Sequence, residues 1–242
     1  MAGFCRFVEH DHRLLVYLYV LQVISHWYVS CIIVGVCYEN AVYSGVGGGE
    51  SVGEYNFKSV GDNTTIYPLA KIVGAENIEI GSNVIIDDFV FIVASGPLYI
   101  GNYVHIASFT SITGGGECCL EDFSGLSSGV RVITGSDDFL GRSLTNPTVP
   151  DEFRSVNRSR VIIKAHAIIG ANSVIFPGVT VGVGAAVGAA SVVRKDLQSW
   201  GVYTGTPAKR IRPRRQDRIE KYEQKLYEAY GRPPRSFRNI LL

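Results

Sequence analysis

A chain of 242 residues with a formal net charge of +1 carries neither the basic excess of a nucleic-acid binder nor an acidic tail. Its 27 glycines suit a fold made of tight turns. The cysteines, Cys5, Cys31, Cys37, Cys118 and Cys119, include one adjacent pair and no CxxC, which argues against a disulfide framework or a zinc site and for reduced thiols in a cytoplasmic protein.

Residues 14–38 contain no Asp, Glu, Lys or Arg and are long enough to span a bilayer. Arg6 and Arg13 precede them and Glu39, Glu50 and Glu54 follow, so charge bias would keep the N-terminus in the cytosol and export everything after the segment. Gln22, Ser25, His26 and Ser30 interrupt the apolar run, and a glycine-rich stretch, Gly45 to Gly49, follows it. Three readings stay open. The segment is a membrane anchor, giving a membrane-associated protein; or an apolar flank packed on the rest of the chain or on a partner; or an upstream extension foreign to the domain. A cleaved signal peptide fits less well, because the apolar run is too long.

From Val60 a different order begins. Val60, Ile80, Ile100 and Leu120 stand 20 residues apart, and each interval divides into six, six and eight through Ile66 and Ile72, Ile86 and Ile92, Ile106 and Ile112, and Leu126 and Val132. The phase breaks after Val132 and resumes with Ile163, Ile169, Ile175, Val181, Val187 and Val193, each followed four places later by Ala167, Ser173, Val179, Ala185, Ser191 and Leu197. A period of six is neither helical nor simple alternation. It predicts an all-β parallel β-helix, in which each six forms one short strand and a turn, three close a triangular coil, and stacked coils bury the aliphatics in a continuous column. An ordinary buried strand or helix would not hold phase over six consecutive units.

The stretch between the two repeat blocks, 137–160, leaves the coil wall at a corner and is stiffened by Pro147 and Pro150. Long irregular loops in compact domains are usually functional. The last coil is expected to end at Trp200, followed by GVYTGTPAKRIRPRR. From Gln216 to Tyr230, Ile219, Tyr222, Leu226 and Tyr230 form one helical stripe. This C-terminal α-helix is expected to cover the open end of the solenoid, where strand edges would otherwise be exposed. The expected organisation is an apolar N-terminal flank, 1–55, a β-helix domain, 56–212, and a C-terminal helix and tail, 213–242.

The hexads, the run IIGANSVIFPGVTVGVGAAVGAASVVRKD, the loop breaking out after SSGVRVITGSDD and the terminal TGTPAKRI together resemble the hexapeptide acyltransferases. The branch is that of the galactoside, maltose and xenobiotic O-acetyltransferases and the sugar acetyltransferases of surface-polysaccharide synthesis. The match covers the chain from about Lys58 to Arg212. Hexads alone say only β-helix; hexads with a corner loop and a closing G-x-P-A-K are specific for the enzyme class. The resemblance implies a left-handed coil, an exception to the right-handed crossover rule. It also implies a homotrimer, with acetyl-CoA as acyl donor in the cleft between subunits and no metal.

Carried over by position, the resemblance walls the cofactor channel with Ala171 and Ala189 and aims the Ala171 N–H at the thioester oxygen, where charge develops during attack. It sets Arg194, Lys195, Lys209 and Arg210 against the nucleotide phosphates; tight turns and solvated surface are the plainer alternatives. The catalytic base is a departure, because the position where galactoside-type enzymes carry a His is Asp137 here. His105, at the sixth place of its hexad, matches a position that lines the acceptor cleft in those enzymes and is expected to remove the hydroxyl proton. Asp137 and Asp138 are expected to share its cleft, orienting the ring or binding sugar hydroxyls. A surface or structural histidine is the alternative, and His166 is the runner-up base.

The function read from these residues is transfer of an acetyl group from acetyl-CoA to a sugar hydroxyl in polysaccharide or glycoconjugate synthesis, with no nucleic-acid partner. N-acetylation of a nucleotide-linked amino sugar, whose amine is already nucleophilic, and acetylation of an antibiotic are the enzymatic alternatives. A structural β-solenoid is the non-enzymatic one. Carbonic anhydrases of the γ type share the coil but need three metal-binding histidines, and only His105 and His166 lie in this repeat.

Overall fold

The structure, a computed structural model, describes residues 55–234. The flank expected over 1–55, including the candidate anchor at 14–38, lies outside the described residues apart from Tyr55. Among the described residues no helix is long and apolar enough to cross a membrane.

A hexad leaves room for only two or three extended residues before the chain must turn, and the strands have that length. The first coil holds β1 (Ser59–Val60), β2 (Thr65–Ile66) and β3 (Lys71–Val73), and the second β4 (Ile78–Ile80), β5 (Ile85–Ile86) and β6 (Phe91–Val93). The third holds β7 (Leu98–Ile100), β8 (His105–Ile106) and β9 (Ser111–Thr113), and the fourth β10 (Cys118–Leu120), β11 (Gly125–Leu126) and β12 (Arg131–Ile133). The chain then leaves the wall through β13 (Gly135–Ser136) and returns through β14 (Asn157–Arg158), an antiparallel pair at the base of the loop. Coils five and six are β15 (Val161–Ile163), β16 (Ile168–Ile169), β17 (Val174–Ile175), β18 (Thr180–Val181), β19 (Ala186–Val187) and β20 (Val192–Val193).

Strands one coil apart pair in parallel, giving three flat sheets of a left-handed β-helix. The first place of each hexad faces inward: Ile80, Ile100, Leu120 and Ile163 line the first sheet, Ile86, Ile106, Leu126 and Ile169 the second, and Ile92, Ile112, Val132 and Ile175 the third, all buried in one core. Each such side chain contributes about 1.5–3 kcal/mol by leaving water. The fifth places are small because they meet at the corners, where Ala167, Ser173, Ala185 and Ser191 are buried. Ser173 and Ser191 are satisfied there by donating to the Gly188 carbonyl.

Two expectations about the end of the chain are corrected. The solenoid does not stop at Trp200: β21 (Gly201–Thr204) adds a parallel strand beside β19, and β22 (Lys209–Pro213) folds back antiparallel on β21. The helix α1 (Gln216–Tyr230) does not cap the open end but runs along one corner. The cause is an aromatic ladder at that corner. Tyr103, Phe123 and His166 all take a left-handed backbone with φ near 60°, and their rings stack at 4.8 and 4.9 Å. Gly184 interrupts the ladder one coil above, since a Cβ there would lie 2.2 Å from the Trp200 ring, and Trp200 settles over the gap to reach His166 at 6.2 Å. Helix α1 lies on this apolar strip. Tyr227 meets Phe123 at 5.9 Å, Glu223 pairs with His166, and Arg214 donates to the His166 and Gly184 carbonyls.

Candidate functional site

The coil register decides what can meet. His105 opens β8 with its side chain outward, while Ile106 is buried. Its neighbours on the outer face of the second sheet are Ile85 and Gly125, with Ile168 one rung beyond Gly125. Asp87, just past β5, reaches across so that its Oδ2 lies 3.2 Å from His105 Nε2. A carboxylate only accepts, so this contact keeps the ring proton on Nε2 and leaves the Nδ1 lone pair free. The His105 side chain is 48% exposed, and Nδ1 has no partner among the described residues. An imidazole with a carboxylate behind it and an open nitrogen in front is arranged to receive a proton from a bound nucleophile.

The expected sharing of one cleft by His105 with Asp137 and Asp138 does not occur through stacking within this chain. His105 is on the second sheet, whereas the two aspartates lie past β13, outside the wall, in the loop that leaves the third sheet. They also differ from each other. Asp138 accepts from the amides of Leu140, Arg142 and Ser143, so its carboxylate organises the loop rather than facing a sugar. The Leu140 amide, aided by those of Arg142 and Ser143, holds its carboxyl below the usual carboxylate range. Asp137 accepts one bond through Oδ2, from the Asn146 amide at 3.3 Å, while its buried Oδ1 has no partner. A buried carboxylate oxygen without a donor is costly in isolation and is the open polar contact of the loop mouth.

His166, the runner-up base, is committed elsewhere. Its ring is sandwiched in the corner ladder and its Nε2 lies 3.0 Å from Glu223 Oε2, beneath helix α1. That position closes it off from an acceptor.

At the corner between the second and third sheets the upper coils present small residues. Ala171 and Ala189 lie there one above the other; the Ala190 amide donates to the Ala171 carbonyl, and the Ala171 N–H has no acceptor among the described residues. Glycine is required beside them, because a Cβ on Gly170 would lie 2.6 Å from the Ala189 nitrogen. Of the basic residues, Arg194 and Lys195 follow β20, with Arg194 over the Phe176 ring at 5.7 Å, and Lys209 and Arg210 open β22 just after Ala208, whose amide donates to the Val192 carbonyl; all four are exposed. Both described cysteines are buried. Burial, foremost, pushes the Cys119 thiol up to about 12, so it offers no thiolate nucleophile. Among the described residues no three His, Cys, Asp or Glu side chains converge as metal ligands.

Sequence reasoning missed Asp87. Its signal was present in the 20-residue period, which puts Ile85 beside His105 and therefore Asp87 diagonally across from it.

No family model matches the chain. It is 40% identical over 168 residues, 69% of its own length and 88% of the other, to the dTDP-4-amino-4,6-dideoxy-D-glucose acyltransferase of Escherichia coli. A solved structure of AntD, an N-acyltransferase from Bacillus cereus in complex with dTDP and 3-hydroxybutyryl-CoA, matches with a TM-score of 0.70 at 39% identity, covering 74% of this chain and 94% of that one. A variant of AntD in complex with dTDP-4-amino-4,6-dideoxyglucose and coenzyme A matches with a TM-score of 0.69 at 39% identity, covering 73% and 94%. Over a shorter stretch, 69 residues amounting to 28% of this chain and 35% of the other, it is 33% identical to WbbJ of Escherichia coli K12, described as a lipopolysaccharide biosynthesis O-acetyl transferase.

Proposed function

Since the chain belongs to the hexapeptide-repeat acyltransferases that act on sugars, we propose that it transfers an acyl group from acyl-CoA to the amine of a nucleotide-linked 4-amino-4,6-dideoxy sugar. The observation that carries this reading is the 40% identity spanning 88% of an enzyme named for that acceptor. The likeness to an O-acetyltransferase covers only 28% of the chain, so the hydroxyl acceptor expected from the sequence gives way to the amine.

In this reading the neutral amine attacks the thioester carbonyl, forming the C–N bond. The Ala171 N–H donates to the oxyanion. The intermediate collapses, the C–S bond breaks, and coenzyme A leaves as its thiolate. His105 Nδ1 takes the proton that the nitrogen sheds after attack and passes it to the departing sulfur, while Asp87 steadies the imidazolium. Asp137 Oδ1 accepts a hydrogen bond from the bound sugar. Arg194, Lys195, Lys209 and Arg210 hold the phosphates of the coenzyme, along a channel floored by Ala171 and Ala189.

We assign the assembly as a homotrimer. The corner below that channel carries Phe89 and Phe109, stacked at 5.2 Å yet 52% and 59% exposed, with Leu69 57% exposed beneath them. An apolar edge of this kind marks a contact surface, and threefold packing of the prism would bring His105 of one chain toward the Asp137 loop of the next. The catalytic apparatus then falls within residues 56–212.

The test is steady-state release of coenzyme A from acetyl-CoA and 3-hydroxybutyryl-CoA. The acceptors are dTDP-4-amino-4,6-dideoxyglucose and a panel of free and nucleotide-linked sugars carrying only hydroxyls. Turnover confined to the amine is expected. Turnover on a hydroxyl acceptor with none on the amine would return the assignment to O-acetylation.

A further inference from the structure

Among the described residues there are 20 glycines, and 19 of them have a reason in the fold itself. Each of these has either a φ between +20° and +160° or a neighbouring atom within 3.1 Å of where a Cβ would sit. Gly125 has neither. Its backbone is an ordinary strand, and a Cβ added there meets nothing within 4 Å. The fold alone would accept a side chain at this position, so the missing one leaves room for something other than this chain's own packing.

The walls of the gap indicate what that is. Gly125 lies in register between His105 and Ile168 on the outer face of the second sheet. Adjacent strands are about 4.8 Å apart, so the two side chains stand on rungs roughly 9–10 Å from each other. That distance admits a body about one saturated ring thick. One wall is the open Nδ1 of His105, its proton held on Nε2 by Asp87. The other is Ile168, 45% exposed and wholly apolar. A body that fits presents an N–H group on one edge and a hydrocarbon group beside it. In a 4-amino-4,6-dideoxy sugar the amine on C4 and the methyl carried by C5 sit on neighbouring ring atoms.

We infer that the Gly125 gap seats the C6 methyl against Ile168 while the amine faces His105, so that Gly125 and Ile168 select 6-deoxy amino sugars over their 6-hydroxylated counterparts. This rests on the amino-sugar acceptor proposed above. The discrimination is that of an apolar wall that the bound sugar covers. A 6-hydroxyl pressed on Ile168 gives up hydrogen bonds to water and finds none in return. Rejection of an added hydroxyl by an apolar pocket amounts to about 10- to 100-fold.

The test compares dTDP-4-amino-4,6-dideoxyglucose with dTDP-4-amino-4-deoxyglucose, which keeps the 6-hydroxyl, using acetyl-CoA and the full chain. The wild type is expected to prefer the deoxy acceptor by about tenfold or more in kcat/KM. Ile168→Asn should lower that preference at least fivefold, and Gly125→Val should raise KM for the deoxy acceptor tenfold or more. Both variants should retain the wild-type affinity for coenzyme A by calorimetry and the wild-type mass by light scattering. An unchanged preference in Ile168→Asn overturns the inference while leaving the amino-sugar reading intact. A change of mass in Gly125→Val also overturns it, by assigning the gap to a subunit contact. Absence of turnover on both amino sugars, with turnover on a hydroxyl acceptor, defeats the amino-sugar reading itself.

Discussion

Two corners of the same coil share one backbone solution and use it in opposite ways. At one corner Tyr103, Phe123, His166 and Trp200 take the left-handed conformation, and at another Phe89, Phe109, Asn172 and Ala190 do so. The first set is stacked and then covered by helix α1, through Tyr227 on Phe123 and Glu223 on His166. The second stays open: its lower coils expose two stacked phenylalanines and its upper coils expose small residues with an unused amide at Ala171. A strained backbone that costs of order 1–3 kcal/mol per residue is therefore compensated inside the chain at one corner. At the other, the proposed subunit contact and the bound ligand would supply the compensation. The chain's own helix covers the corner to which no part of the proposed chemistry is assigned.

The largest effect should come from a charge placed in the open corner. Phe109→Asp puts a carboxylate where an apolar contact between chains is proposed, and unpaired burial of a charge is prohibitive. Light scattering should fall from three chains to one, with turnover lost if the site is shared between subunits as proposed. The matched change at the closed corner, Tyr227→Ala, should leave the mass unaltered. A trimeric Phe109→Asp enzyme would end the distinction between the corners.

The two histidines sharpen the same contrast. His105→Ala should lower kcat on the amino sugar by roughly 10²-fold, at the low end for loss of a general base because the amine can attack before its proton is removed. His166→Ala should leave kcat within about twofold and instead lower the melting temperature by several degrees, since it removes a ring from the ladder and a partner of Glu223. Equal losses of kcat would mean that the covered histidine takes part in the reaction.

The core was legible because burial on a coil is written at fixed intervals. The six- and 20-residue spacings alone place Ile66, Ile86, Ile106 and Ile169 in the core. The direction of helix α1 was not, because the cause is a set of stacked rings at positions 103, 123 and 166, irregularly separated by the loop, whose common corner appears only after the coils are closed. The place of His105 in its hexad marks it as a candidate, but its carboxylate partner, Asp87, lies in the preceding coil, diagonal across two strands, and not in the loop. Gly125 looked like any glycine of a turn-rich chain, and only the absence of both strain and contact distinguishes it. Aspartates 137 and 138 read alike in sequence, and only hydrogen bonding divides the open one from the one consumed by its loop.

A smaller effect is expected at the top of the open corner. Lys209→Ala should raise KM for acetyl-CoA about tenfold and spare kcat, because the phosphate contact proposed for it, far from the thioester, would stabilise ground and transition states alike. The same substitution should leave KM for the amino sugar unchanged, and salt should mimic it by screening an exposed charge. A fall in kcat at saturating acetyl-CoA would place Lys209 nearer the reacting atoms than the corner geometry implies.

The smallest effect concerns the loop that the open corner depends on, and its sign follows from Asp138. The Leu140, Arg142 and Ser143 amides donate to this carboxylate, so the folded loop lowers its pKa from the ordinary 3.8. A depressed carboxyl contributes stability that is fully present above its unfolded value and is lost as pH falls through the folded one. Protonation thus releases the three amides only as the pH falls through the folded value, which lies below the ordinary 3.8. Hydrogen exchange at those amides, corrected for its intrinsic pH dependence, should be slow at pH 5 and markedly faster once the pH has fallen below that folded value. The coil-wall amides of Ile162 and Lys164, which donate to Val179 and Val181, should stay protected at both. Asp138→Asn should already show the faster loop exchange at pH 5 and lose most of the pH difference, because the neutral amide imitates the protonated acid. If Asp138→Asn keeps the wild-type protection of these amides at pH 5, the carboxylate holds the loop through its shape as an acceptor rather than through its charge.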